Sequence, residues 1–520
     1  MSANKRYTWT VSVIAMLERN EPKNGPIVEE AYAEFEDSIM SVKNANKDIK
    51  FVIYNYDVST ETVFIRQSKV SQRKYQLETV REDHMNIDHF YRPPYEHLTD
   101  FFDEFVAKKQ KNPDEEHKHF LIIWGHATGL GFLRQSVESH IQQSFAEGGE
   151  HLEVSEIEKI ADKVHAFNKV KTRLSFTSGE IPFESFRPDL PNTIKELKIS
   201  NEQKTAIEKV TRLITPTSLA EILEKGLSKD NLSVTNGKGK AGNQKIQFFL
   251  CLSCYVNMVE TGYALKNLVN VYVAPQTHVS FFGYNYAQLF KLLSKHPESD
   301  DETIATNISH NYLRKYLTLK PTESIDNFMI YNVDYKDDVS FSAIYLSKFD
   351  EIPQLILNFR DIVFQVPKFR EHLQNARRRC LPLSKTGFTE IAIIDYHNYV
   401  SEVFQLIFES GSNPGLFRNS TVINSCYLHE FAITNYNPGI LSQSKFEEHT
   451  FRSQSPGSFS IFLPNPRPVQ LEEDFLDMYL NQKNEFLQKS EWDCIIRLVL
   501  ENNSKYPLCQ TLPPKGAIEG

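Results

Sequence analysis

Two stretches of this sequence, His119-Phe-Leu-Ile-Ile-Trp124 and Ile246-Gln-Phe-Phe-Leu-Cys-Leu252, have the length of a strand and are almost apolar throughout. A strand with one wet face alternates apolar and polar residues, so a strand that does not alternate must be covered on both faces. This requirement predicts a parallel sheet sandwiched by helices, because crossover helices cover both faces of such a sheet. Thr8 to Met16, Lys50 to Tyr56 and Val271 to Ala274 read as further strands, rich in β-branched and aromatic residues. Ile27 to Val42, Tyr95 to Lys109 (with Leu98, Phe102 and Phe105 at helical spacing) and Tyr255 to Leu268 read as helices between them. The class expected is α/β.

At 520 residues the chain exceeds one ordinary core. The strand–helix rhythm defines an α/β domain over 1–317, broken by a long insertion at 132–245, and a second α/β region follows over 318–520. The insertion carries a helical stretch, Val154 to Phe167, and a Gly/Lys/Asn-rich loop from Ser228 to Gln244 that is expected to be exposed. The second region should hold a long helix from Asp350 to Arg379, and there is no internal repeat.

Charge and cysteine usage narrow the partners. A net charge of -9 argues against nucleic acid as the main ligand. The nearest approach to a basic patch is Arg377-Arg378-Arg379, whose place at a helix end suits the helix dipole. The segment Met1 to Met16 reads as a buried first strand rather than a signal peptide, and no run reaches the ~18 apolar residues of a membrane span. Six unevenly spaced cysteines make no disulfide framework, so a cytoplasmic, reduced chain with no membrane association is expected.

The candidate chemistry lies where two of the strands end. Trp124-Gly-His126-Ala-Thr-Gly-Leu-Gly131 runs from a buried strand into a Gly-rich loop, and Leu250-Cys-Leu-Ser-Cys254-Tyr255 runs from another into the next helix. Open parallel sheets bind ligands outside the carboxyl ends of their strands, so His126 and Cys254 can face one cleft. At the start of a helix Cys254 would also gain thiolate character from the helix dipole. Cys251 and Cys254 together form a Cys-x-x-Cys, open to redox or zinc chemistry with Cys426 and His429 as possible partners, and Cys251 is an alternative nucleophile.

In this order and on these strands the two segments resemble the clostripain family of cysteine peptidases, of the caspase-like clan. Its members carry a Trp-(Gly/Asp)-His-Gly loop, then Phe-Asp-Ala-Cys-Leu-Met-x-x-Val-Glu ahead of a helix. Here Cys254 is followed in the same register by Val259-Glu260, Tyr263 and Leu265, whereas taking Cys251 as the nucleophile breaks that register. Weaker likeness extends through Val271-Tyr-Val-Ala-Pro275, Phe282-Gly-Tyr-Asn-Tyr286, Ile394-Asp-Tyr-His397, Pro456 to Pro464 and Trp492, covering most of the chain.

The resemblance implies a caspase-like fold and peptide hydrolysis by a Cys254/His126 dyad, without cofactor or metal. The oxyanion would be held by the backbone N–H groups of Cys254 and Ala127. Two departures matter. Ala127 stands where the family has Gly, and Leu252 stands where it has the Asp that selects Arg or Lys in the S1 pocket. An S1 pocket without that charge implies a neutral, apolar P1 preference; the alternative is that Leu252 is simply core and S1 is built elsewhere. The resemblance also puts a self-processing site in the long insertion, in the loop 228–244, and the clan association points to a regulated, selective enzyme, with activation of a gasdermin or antiviral defence as its setting. The family's calcium dependence finds no acidic ligand loop here. A catalytically inactive caspase-like scaffold is the alternative reading.

Overall fold

A computed structural model describes residues 6–19, 25–42, 48–85, 96–107, 115–129, 131–133, 214–228, 245–276, 279, 284–318, 341–380, 392–411, 432–436, 459–468, 476, 479–480 and 484–501. The stretch Val154 to Phe167, the loop beyond Ser228 as far as Gln244, and Cys426 and His429 lie outside the described residues.

The strands are β1 Arg6–Leu17, β2 Ile49–Asp57, β3 Thr62–Ser71, β4 Lys74–His84, β5 Glu115–Trp124, β6 Ala127–Thr128, β7 Gly131–Phe132, β8 Ile246–Leu252, β9 Val269–Pro275, β10 Phe341–Tyr345, β11 Ile393–Asp395, β12 Ala432–Tyr436 and β13 Ser460–Phe462. Nine of them form one sheet in the order β12-β10-β9-β8-β5-β1-β2-β3-β4. The centre, from β9 through β8, β5 and β1 to β2, is parallel, and antiparallel pairs flank it at both ends. The continuous apolar runs thus became the interior parallel strands. Phe248, Phe249, Leu250 and Cys251 have no exposed surface.

Alternation along each strand feeds two cores. Val11, Val13 and Ala15 of β1 and Phe248 and Leu250 of β8 pack with the helices Gly25–Met40, Tyr286–Lys295 and Asp301–Thr318. Phe249 and Cys251 point the other way, into the core shared with Val259–Leu265, Ile352–Val363, Phe369–Arg379, Tyr396–Glu409 and Trp492–Val499. The molecule is a three-layer α/β/α sandwich, the class expected from the strand pattern. No described helix is long and apolar enough to cross a membrane.

Several expectations need correction. The helix expected from Asp350 to Arg379 is two helices, Ile352–Val363 and Phe369–Arg379, separated where Pro367 precedes Lys368 in a left-handed conformation. Proline disfavours helical geometry in the residue before it and lacks the N–H a continuous helix needs. The helix expected at Tyr95 to Lys109 shortens to Glu96–Asp100 and then widens into a π-turn, Phe101–Val106. The helix expected from Tyr255 begins only at Val259. The β3–β4 hairpin was not expected at all. It turns on Gln72 and Arg73, both at positive φ (49° and 63°), in a sequence without the Asn-Gly signal such turns usually carry.

The arginine run is engaged within the chain. Arg377 is buried, donating to the carbonyls of Leu463 at 2.8 Å and Cys380 at 3.4 Å, while Arg378 pairs with Glu501 and Arg379 with Glu402 and Glu409.

The strands beyond residue 317 also close on the centre of the molecule. β10 and β12 extend the main sheet, and β11–β13 form a small antiparallel pair packed beside the helix Val259–Leu265. Glu260 on that helix ties them together. Its Oε1 accepts from the Phe462 amide at 3.1 Å and from the Tyr479 hydroxyl at 2.6 Å, whereas Oε2 has no partner among the described residues. Burial pushes the Glu260 carboxyl up to about 7, against the opposing effect of these donors. A carboxyl that holds its proton more tightly when folded contributes stability that is full at low pH and lost as pH rises through the folded value. The wild-type protein should therefore lose on the order of 3 kcal/mol between pH 4.5 and 8 that Glu260→Gln retains. Melting curves of both proteins across that range will show the difference narrowing toward pH 4.5; parallel curves would refute the assignment.

Candidate active site

The site is set by one register. β5 and β8 are parallel neighbours with Trp124 opposite Leu252, so His126 and Cys254 each lie two residues beyond the same rung. Adjacent strands are about 4.8 Å apart, and both chains leave the sheet here, so residues 126 and 254 follow neighbouring strands at its carboxyl edge.

Two loops then fold against each other. After His126, Ala127–Thr128 pairs antiparallel with Gly131–Phe132, and Phe132 exchanges backbone hydrogen bonds with Ile214 at 2.9 and 3.0 Å. Gly129 at the tip of this turn sits against the Cys segment: a Cβ there would lie 2.9 Å from the Tyr255 carbonyl oxygen and collide with Met258 and with Ile393 of β11. Only a residue without a side chain allows that approach.

On the other strand, Cys254 occupies a turn whose next residue, Tyr255, is left-handed at φ 59° yet buried. A bulky residue in this conformation is uncommon and persists only where surrounding contacts impose it. Here the contacts are visible. The Val256 carbonyl accepts from the Tyr272 hydroxyl at 2.6 Å, the Asn257 amide donates to the Pro275 carbonyl at 3.0 Å, and the Ser460 amide donates to the Asn257 carbonyl at 2.9 Å. These bonds hold 255–258 out of helical geometry. Cys254 is therefore not at a helix N-terminus, which corrects the dipole argument for its thiolate. The donor the structure provides instead is the Val279 amide, 3.3 Å from Sγ. The thiol in turn lies 3.8 Å from the Val279 carbonyl oxygen, to which it can donate.

The other site residues are placed as follows. Cys254 is partly exposed, whereas Cys251 is fully buried and burial pushes its thiol well up, so Cys251 is neither reachable nor ionised. Both are free thiols, and among the described residues no group of three or more His, Cys, Asp or Glu could hold a metal ion. Ala127 is buried at the start of β6. Leu252 is 2% exposed and packs in the core with Trp124 and Tyr286.

Sequence reasoning missed the neighbour of the imidazole: Oε2 of Glu18, just past the end of β1, is 3.8 Å from Nε2 of His126. It also missed Val279 and Gly129. An open cavity of about 330 Å³ lined by Arg19, Tyr32, Asn55 and Arg66 lies over β2 to β4, away from β8, and neither His126 nor Cys254 lines it.

Comparison with solved structures gives the fold a name. The structure of a secreted C11 cysteine protease from Bacteroides thetaiotaomicron, in complex with an irreversible peptide inhibitor, matches over 94% of this chain and 99% of its own, with TM-score 0.50 and 12% identity. A second structure of a secreted C11 protease from that organism, iotapain, matches with TM-score 0.47 and 13% identity over 95% and 99% of the two chains. An inactive zymogen C11 protease from Parabacteroides distasonis matches with TM-score 0.47 and 12% identity over 94% and 99%. No protein-family model and no curated protein matches the sequence. The first of these structures establishes that the chain has the caspase-like fold found in C11, or clostripain-type, cysteine proteases. At that identity the likeness speaks for the fold alone, and the chemistry has to be argued from the site.

The contact at Gly129 is directly testable. Gly129→Ala forces the His126 and Cys254 loops apart, with an expected stability loss of roughly 1–3 kcal/mol. Melting of the purified variant checks this; an unchanged melting temperature would show that the loops are not in close contact.

Proposed function

We propose that this protein is a cysteine endopeptidase with Cys254 as nucleophile and His126 as acid/base. The observation that carries the reading is the shared register of β5 and β8, which brings a partly exposed thiol and an imidazole past the same rung of a parallel sheet. Cys254 attacks the scissile carbonyl carbon, and the oxyanion accepts from the backbone N–H groups of Cys254 and Ala127. His126 gives its proton to the leaving amine. It then takes one from the water that hydrolyses the thioester.

Specificity follows from what the S1 region lacks. Leu252 brings no charge to the position where the resemblance expects a carboxylate, so a guanidinium at P1 would lose its hydration without a counter-charge there. The substrate is then a protein or peptide cut after a neutral, apolar residue. Leu252 acts through the absence of charge rather than through surface it offers, being almost wholly buried.

A long segment between His126 and Cys254 fits a regulated, selective enzyme that matures by cutting itself within 228–244, with a gasdermin-type protein in cell defence as the substrate class the clan association implies. The division into a catalytic domain over 1–317 and a C-terminal domain over 318–520 belongs to the same proposal. Cytoplasmic placement is carried by the free thiols of Cys251, Cys254 and Cys380; the disulfide-bonded Cys494 stands against it.

Profiling the purified chain on a mixture of peptides beside Cys254→Ala tests the reading. Cleavage after apolar residues, lost by at least ~10³-fold in Cys254→Ala, is expected. Retained cleavage in the variant would put the nucleophile elsewhere, and dominant cleavage after Arg would overturn the S1 argument. Folded wild-type protein that cuts nothing, even after limited proteolysis within 228–244, would favour the inactive scaffold.

A further inference from the structure

The sheet order places three groups in a row. β8 carries Cys254, its neighbour β5 carries His126, and β1 on the far side of β5 leads directly into Glu18. β1 is paired so that Ala15 stands opposite Trp124, which sets Glu18 three residues beyond one member of the rung and His126 two beyond the other. The Glu18 side chain is 2% exposed and the imidazole 27%, and their Oε2 and Nε2 atoms are 3.8 Å apart.

We propose that Glu18 is the positioning residue of the His126 acid/base, fixing the ring with Nε2 toward β1 and Nδ1 toward Cys254, and stabilising the imidazolium that forms when the thiol gives up its proton. This rests on the peptidase reading of Cys254 and His126. The two ring nitrogens lie on opposite edges of an imidazole, so engaging one on the β1 side leaves the other for the β8 side. The proton balance is simple: the S–H bond of Cys254 breaks, Nδ1 of His126 gains the proton, and Glu18 remains ionised throughout.

At 3.8 Å the contact is longer than a hydrogen bond and becomes an ion pair once the imidazole is protonated, so charge is the means by which Glu18 acts. Because the carboxylate is buried, salt screens it weakly. The other groups near the pair do not duplicate the role. Asp57 at the end of β2 is paired with Arg19 at 3.6 Å. Tyr56 on β2 is held in its neutral form, first by burial and then by the field of Glu61, Asp57 and Glu18. From β8 the facing group is the Cys254 thiol itself, held by the Val279 amide. Glu18 is the carboxylate within ion-pair distance of the ring among the described residues.

The test is the pH dependence of kcat/KM for wild type, Glu18→Gln and Glu18→Asp, together with the NMR titration of His126 in Cys254→Ala with and without Glu18→Gln. An opposite charge at this distance moves a partner by about one unit or more. Glu18→Gln should lower kcat at least ~10-fold with KM within ~2-fold, and should move the basic limb and the His126 titration down by about one unit. Glu18→Asp should recover part of both. If Glu18→Gln does not fold, the Glu18→Asp profile decides: with its charge drawn back, a limb unmoved from wild type and full kcat would overturn the proposal. Wild-type kcat and an unmoved limb in folded Glu18→Gln, with Cys254→Ala inactive, would also overturn it and leave the peptidase intact. Absence of any Cys254-dependent cleavage would instead remove the peptidase reading and this role with it, whatever the His126 titration shows.

Discussion

The in-register parallel pairing of β5 with β8 is the constraint on which the rest of the site depends. Parallel strands cannot be joined by a tight turn, so the chain must travel away and return between them. What brings it back to one rung is burial on both faces, since a slip of one residue would turn Leu250 and Leu252 out of one core and drive Phe249 and Cys251 out of the other. The placement of residues 126 and 254 beyond one rung is thus determined by hydrophobic packing beneath it.

That packing has unequal support on its two sides. β1 and β2 continue the parallel pairing outward and deliver Glu18 to the imidazole. On the Cys254 side the sheet continues through β9, and the non-helical segment 255–258 that follows Cys254 is stitched to Pro275 of β9 and to Ser460 of β13. The C-terminal region is therefore part of the scaffold that shapes the turn after Cys254, and the buried Arg377 fastens that region by donating to the Leu463 carbonyl.

How far the sequence could be read follows from where each signal resides. The central strands were legible because continuous apolarity leaves a parallel strand few alternatives, and His126 and Cys254 stood out because each follows such a strand directly. The start of the helix after Cys254 was not legible. Tyr255, Val256 and Met258 have apolar helical spacing, and the bonds that keep this segment out of a helix come from β9 and β13, outside any local window. The β3–β4 turn was hidden because Gln72 and Arg73 adopt a conformation that their identities do not announce. Glu18 was not singled out, because nothing local distinguishes a carboxylate that solvent reaches from one enclosed by neighbouring strands. An acidic residue at the carboxyl end of a parallel strand was the clue, since ligand sites gather there.

The tie between Glu260 and Phe462 spans 202 positions, and the Ser460–Asn257 bond that braces the segment after Cys254 runs in parallel with it. Contacts so remote along the chain form late in folding, and a nascent polypeptide cannot make them until its distal strands have left the ribosome. During synthesis the thiol and the imidazole exist well before the brace that sets the turn between them. A chain built this way completes the surroundings of Cys254 as one of the last acts of its own assembly.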